Sequence, residues 1–73
     1  MNSKMEIRIW EGSPLVGMSV EKLDKKFGVN VLKVARGVEA ANPKGNLKIE
    51  AADYITYVGD PANCLKVLEK SVK

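Results

Sequence analysis

The chain has 73 residues, enough for one small domain, and a domain of this size buries only about 60–65% of the surface that its unfolded chain exposes. Cys64 is the single cysteine and there is no histidine, which excludes an intrachain disulfide and disfavours a zinc centre. Ten lysines and two arginines against nine acidic residues give a net charge of +3, and the dispersed lysines are typical of a solvated surface rather than of a nucleic-acid patch.

These limits favour a soluble cytoplasmic domain that gains stability by self-association. Without disulfides or metals to reinforce a small core, pairing with a second copy is the remaining route, so we expect a homodimer. The chain has no apolar run near the ~20 residues of a membrane span and no signal-peptide core. We take residues 1–73 as one domain, with residues 1–4 as a disordered or linker start.

The first element is a half-buried strand over residues 5–11. Met5, Ile7 and Ile9 alternate with more polar neighbours, which is the period of a strand with one buried face. Trp10 falls on the polar side. It either folds over the sheet edge or a loop, or contacts a second chain, since tryptophan is enriched at interfaces. Trp10 is therefore the interface candidate.

Residues 11–19 have the glycine spacing of a phosphate-binding loop, with Gly12 and Gly17 between a strand and a helix. Met18 stands where such a loop needs lysine, and Pro14 removes an amide donor. The chain is also too short for a nucleotide-binding sheet. The segment is a connector that leads to Ser19, the predicted N-cap of the first helix.

This helix carries Val20, Leu23 and Phe27 on one face and ends at Gly28, a residue suited to the left-handed cap. Residues 29–36 follow as a nearly continuous apolar run, which predicts a central strand covered on both faces. Gly37 supplies a turn, residues 38–42 return as a short strand, and Pro43 ends it.

Leu47 and Ile49 lead to another strand over residues 54–58. Asp60 and Pro61 are the N-cap and first residue of the last helix. Its predicted apolar stripe is Leu65, Leu68 and Val72, with Cys64 beside it. The order β-α-β-β-β-α predicts an α+β fold, a small sheet of three to four mostly antiparallel strands with two helices packed on it.

The residues whose side chains could take part in a reaction do not form a catalytic set. The chain lacks the usual general base, histidine, and Cys64 lies on the inner side of a predicted helix, where a thiol is unreactive. Glu50, Asp53 and Asp60 lack the spacing of a calcium loop, and the two aspartates suit turn and helix caps. We therefore expect no enzyme activity, no catalytic residues, no cofactor and no metal.

The ordered segments 11–19, 27–37, 42–43 and 52–60 resemble the TrkA-C domain, the C-terminal lobe of RCK regulatory subunits of potassium channels and transporters. The resemblance spans about Glu6 to Leu68. The family usually has Gly-Asp where this chain has Ala52-Asp53. Members that bind a cyclic dinucleotide between paired domains carry an arginine where this chain has Asp24, and an acid there would repel a phosphodiester.

The resemblance implies a non-enzymatic regulatory and dimerisation domain at the cytoplasmic face of the inner membrane, serving a potassium channel or cation transporter. It also implies a small-molecule or nucleotide ligand at the dimer interface, near Phe27, Asn30, Val31 and Pro43. Two alternatives remain, a nucleic-acid-binding module suggested by the net positive charge and an assembly domain without a ligand. The dispersed lysines make nucleic acid the less favoured partner.

Overall fold

The computed structural model describes residues 2–73, which form six elements: β1 (Ser3–Arg8), α1 (Val20–Phe27), β2 (Val29–Arg36), β3 (Glu39–Ala41), β4 (Tyr54–Gly59) and α2 (Pro61–Ser71). The strands form one antiparallel sheet in the order β1-β4-β2-β3. This confirms the predicted α+β fold and its element order. Within the described residues, no helix is long and apolar enough to cross a bilayer.

The last strand in sequence, β4, lies inside the sheet between β1 and β2, and its Ile55, Thr56 and Tyr57 are all buried. The edge strand β1 begins at Ser3 rather than at Met5, because Ser3 and Lys4 pair with Gly59 and Val58 of β4. These two residues belong to the sheet, which corrects their assignment to a linker. Met1 lies outside the described residues.

Local signals place α1 as predicted. The Ser19 hydroxyl accepts a hydrogen bond from Lys22 N at 3.1 Å, and Gly28 ends the helix in the left-handed conformation with φ of 68°. Val20 and Leu23 are buried and Phe27 is half-buried. The amphipathic face therefore packs on the sheet, and the glycine lets α1 turn directly into β2 without a loop.

The prediction that β2 is covered on both faces is wrong. Val29, Val31 and Val34 are buried, whereas Asn30, Leu32 and Lys33 are exposed. The two helices contact each other and pack on the same side of the sheet, α1 on β2 and α2 on β1 and β4. The opposite side, which we call the open face, is uncovered within the described chain, and it also carries Lys4, Glu6, Arg8 and Tyr54.

The predicted apolar stripe of α2 is also wrong. Asp60 caps the helix through Ala62 N at 3.1 Å, as expected, but the buried residues are Cys64, Val67 and Ser71. Leu65 and Val72 are 53% and 62% exposed, and Leu68 is half-buried. Two hydrogen bonds fix this rotation: Tyr57 Oη donates to Cys64 O at 3.0 Å, and Trp10 Nε1 donates to Ser71 O at 2.9 Å.

An ion pair between a buried aspartate and a partly exposed arginine joins the end of β2 to the segment before β4. Asp53 is fully buried, and its carboxylate accepts hydrogen bonds from Arg36 Nε and Nη2, each at 3.0 Å, and from Glu50 N at 2.8 Å. Arg36 Nη2 also donates to Lys48 O at 2.9 Å, and Nη1 lies 3.1 Å from Glu50 Oε2. The pair fastens residues 48–53 to the sheet and positions the start of β4.

Candidate functional site

The junction between α1 and β2 brings an acid onto the backbone of a strand. Asp24, in the last turn of α1, accepts a hydrogen bond from Val31 N through Oδ1 at 3.0 Å. Burial raises the pKa of the Asp24 carboxyl, and the Val31 amide opposes that shift by stabilising the anion. The carboxylate thus satisfies a strand amide that points away from β4.

Part of the outer side of β2 is uncovered in the described chain. The short strand β3 pairs only with residues 34–36 of β2, so residues 29–33 have no strand beside them on that side. We call this stretch the β2 edge. The β2–β4 register shifts between Val31 and Lys33, which leaves Leu32 in a bulge with 45% of its surface exposed. An edge of this kind offers backbone groups and an apolar side chain to a partner.

Three of the four predicted ligand residues lie at or next to the β2 edge, and the fourth, Pro43, lies in the segment after β3. Phe27 is half-buried on the helix side, and Asn30 is exposed on the open face. The Val31 side chain is buried in the core, so only its backbone reaches the edge. Pro43 is half-buried in the segment that follows β3. This segment passes the start of α1, where Gly45 O accepts a hydrogen bond from Glu21 N. Phe27 and Asn30 lie on opposite faces of the sheet and the Val31 side chain is buried, so the four side chains do not form one surface within a single chain.

The surroundings of Phe27 are basic. Lys26 Nζ lies 5.8 Å from the centre of the Phe27 ring. On the α2 side, Phe27 lines an open surface cavity with four charged residues: Lys66, Glu69, Lys70 and Lys73. The helix side of the β2 edge is therefore positive, whereas Asp24 places a negative charge at the edge itself.

Trp10, the interface candidate, lies beyond the end of β1. Its indole N–H caps the C-terminus of α2 through Ser71 O, and its ring covers Gly12 so closely that a Cβ there would overlap it. The side chain folds over the neighbouring loop and still keeps 45% of its surface exposed. It therefore has a structural role at the α2 terminus and leaves an aromatic face accessible.

The reactive groups of the chain are engaged in structure. Burial raises the pKa of the Cys64 thiol, which has no exposed surface. Asp53 and Asp60 are occupied by Arg36 and by the α2 cap. Within residues 2–73, no cluster of three or more histidine, cysteine or acidic residues is close enough to hold a metal ion.

Sequence reasoning missed two residues of this region. Leu32 is exposed at the bulge, and an unbroken apolar run gives no sign of a bulge or of an uncovered face. Arg36 had no evident role at the end of its strand, because its partner Asp53 lies 17 residues further along the chain. A charged residue at the end of an apolar strand was the only available signal.

Comparison with known proteins places the fold. No curated protein sequence matches the chain. One similar structure is the RCK C domain of the potassium transport protein KtrA in complex with c-di-AMP, with a TM-score of 0.76 and 21% identity over 93% of this chain and 81% of that one. Another is the RCK_C domain dimer of S. agalactiae BusR in complex with c-di-AMP, with a TM-score of 0.78 and 22% identity over 93% of both chains. The family model of the TrkA-C domain matches residues 4–71, so the chain belongs to the TrkA-C domain family.

Proposed function

We propose that this protein is a non-enzymatic regulatory domain of a cation transport system, which pairs with a second copy and takes a small ligand between the paired β2 edges. The observation that carries the proposal is the β2 edge itself, a stretch of strand in a TrkA-C fold that follows Phe27 of α1, contains Asn30 and has no strand beside it in the described chain. Its working location would be the cytoplasmic face of the membrane, beside a potassium channel or transporter subunit.

Pairing explains why the four ligand residues do not converge within one chain. A two-fold axis beside the β2 edge would bring two copies of Asn30 and Pro43 toward each other, so that one cleft is built from both protomers. A ligand in that cleft regulates a transporter only by binding one arrangement of the pair more tightly than another. The structurally similar domains of KtrA and BusR were both determined with c-di-AMP bound, which makes a cyclic dinucleotide the first ligand to test.

Asp24 argues for a second candidate, an assembly domain that pairs without a ligand. Its carboxylate lies at the β2 edge and holds Val31 N. A like charge about 4 Å from a phosphodiester costs about 1 kcal/mol even at the dielectric constant of water, or roughly five-fold in affinity. The second candidate predicts that no nucleotide or cation raises the melting temperature, since a ligand of the folded state must stabilise it.

Sedimentation over a concentration series, combined with thermal unfolding, tests both candidates. We expect at least a dimer, and a melting temperature that rises with c-di-AMP or another adenine nucleotide. Asn30→Ala should remove the ligand-induced rise, whereas Asn46→Ala, in an exposed loop, should keep it. A folded, strictly monomeric chain would refute the proposed function, and a dimer without any ligand response would select the assembly domain.

Asp24→Asn isolates the effect of the charge, because the amide oxygen can still accept from Val31 N. We expect c-di-AMP to bind this variant roughly five-fold more tightly than the natural chain. Calorimetric titration of both proteins measures the ratio. An unchanged or weaker affinity would show that Asp24 does not face the ligand.

A further inference from the structure

The outer side of β1 is a second uncovered strand edge, on the opposite flank of the sheet from the β2 edge. Ile9 N donates to Asp53 O at 2.7 Å and Ile9 O accepts from Ala52 N at 2.6 Å, so both of its backbone groups face inward. Backbone direction alternates along a strand. The N–H and C=O groups of Lys4, Glu6 and Arg8 therefore point outward, where no strand formed by residues 2–73 covers them.

The exposed apolar row of α2 lies on the same flank. Lys66 and Lys70 turn toward Phe27 of α1, and Cys64 and Val67 face the sheet. The remaining side of the helix carries a row with a spacing of three and four residues: Leu65, Leu68 and Val72. This row faces away from α1, and it flanks the β1 edge with a strip of apolar surface.

The middle of β1 and the middle of the apolar row of α2 lie at the same position along the strand direction. The Tyr57 hydroxyl is 3.0 Å from Cys64 O and 3.8 Å from Met5 Sδ, so the middle turn of α2 stands over Met5. In the helix, Cys64 O is the acceptor for the amide of Leu68. Leu68 of the row and Met5 of the edge thus share one level, with Leu65 and Val72 on either side of it.

We propose that the β1–α2 flank is a self-association surface, on which β1 pairs antiparallel with β1 of a second copy about a two-fold axis at Met5. The same axis passes close to Leu68, so α2 packs antiparallel on its counterpart and Leu65 meets Val72 of the second copy. A single two-fold rotation therefore pairs the exposed backbone groups of β1 and buries the exposed apolar row of α2.

Charge selects the register. With Met5 on the axis, Lys4 lies opposite Glu6 of the second copy, and the pair occurs twice by symmetry. Both residues have outward backbone groups, as hydrogen-bonded partners require. A shift of the second strand by two residues would keep the same backbone groups facing each other, but it would place Lys4 opposite Arg8 and Glu6 opposite itself. Like charges directly opposite destabilise a strand pair.

This surface goes beyond the proposed ligand cleft, because β1 and the β2 edge lie on opposite flanks of the sheet. A protein with two different two-fold interfaces assembles past the dimer into chains or closed rings. Loss of one interface then leaves dimers held by the other, which separates this inference from the proposed function experimentally.

A charge-swap series measured by sedimentation tests the surface. Lys4→Glu or Glu6→Lys alone turns two attractive pairs into two repulsive ones and should weaken association about 10-fold. The double swap K4E/E6K restores both pairs and should return the association constant to within about two-fold of the natural chain. The matched control swaps Glu21 and Lys25, an exposed pair on α1, and should change nothing.

Leu65→Glu tests the apolar row and should also weaken association about 10-fold, because it places a charge in the apolar contact of both copies. Val38→Glu, at a fully exposed turn position, is its control. The amides of Lys4 and Glu6 should exchange more slowly with deuterium as concentration rises. A monomer throughout the series, a double swap that fails to restore association, or slowing confined to the β2 edge would each overturn the inference. A response to ligand that persists in K4E would leave the proposed function intact.

Discussion

Replacing Arg36 with methionine tests the main electrostatic contact of the fold. The substitution keeps an unbranched side chain of similar length and removes the guanidinium, and with it both bonds to Asp53, the bond to Lys48 O and the contact with Glu50. Asp53 is fully buried, so its carboxylate loses its counter-ion in a place that water does not reach. Only the bond from Glu50 N remains.

The magnitude follows from the burial of each partner. Removing one member of a buried ion pair costs about 3–5 kcal/mol. The Arg36 side chain is about one-third exposed, and Asp53 keeps one amide donor, so we expect a loss of about 2–4 kcal/mol, since an unmade bond to a charged group costs about 1–3 kcal/mol. A chain of this length has a total stability of roughly 4–11 kcal/mol. Arg36→Met therefore removes a large share of it.

Urea unfolding followed by circular dichroism measures the loss. Arg36→Lys, which keeps the charge without the two-pronged geometry, should fall between the natural chain and Arg36→Met. The double variant R36M/D53N should be less destabilised than the sum of its parts, because it leaves no buried charge unpaired. A loss below about 0.5 kcal/mol for Arg36→Met, the range of ordinary surface substitutions, would refute the reasoning.

Two further predictions concern buried or strained positions. Burial, together with the nearby Cys64, raises the pKa of Tyr57 to about 12. Since the folded pKa is above the unfolded value near 10, the contribution of Tyr57 to stability is complete below pH 10 and decreases by roughly 2 kcal/mol as the pH rises to 12. Tyr57→Phe should abolish that decrease, which urea titrations at alkaline pH measure. An equal decrease in both proteins would contradict the prediction. Ala52 has a φ of 71°, which favours glycine. Ala52→Gly should therefore leave stability unchanged or raise it by up to about 1 kcal/mol, because relief of strain exceeds or offsets the added freedom of the unfolded chain. A lower melting temperature for this variant would show that the turn is not strained.

The sequence predicts the elements well where the signal is local. Ser19, Gly28 and the Asp60-Pro61 pair each act within one helical turn, and all three are found in the predicted roles. Capping depends on a hydrogen bond to a group two to four residues away, so distant parts of the chain hardly alter it. The strand boundaries at Val29 and Tyr54 agree for a similar reason, since a cap or a turn precedes each of them.

Coverage by other elements is a tertiary property, and there the sequence is a weaker guide. An apolar run such as residues 29–36 fits burial on two faces, but residues 2–73 form two helices, both on one side, and leave the other face open. The same holds for the candidate site. The contact of Asp24 with Val31 depends on how α1 lies along β2, and the bulge at Leu32 depends on the pairing of β2 with β4. No local pattern encodes either of them.

Helix α2 has two apolar rows, of which only one is buried in the described chain. Leu65, Leu68 and Val72 have the spacing of a helix-packing face, and a helix can turn only one such face toward its own sheet. Tyr57 and Trp10 hold Cys64, Val67 and Ser71 inward through two backbone carbonyls, which leaves the second apolar row exposed. Leu32, at the β2 edge, is exposed in the same way on the opposite flank. Both departures from the expected burial lie on flanks where a strand edge is also uncovered. A small domain that cannot bury all its apolar residues alone gains by burying them against copies of itself, so the residues that sequence reasoning placed in the core are the ones expected to lie between protomers.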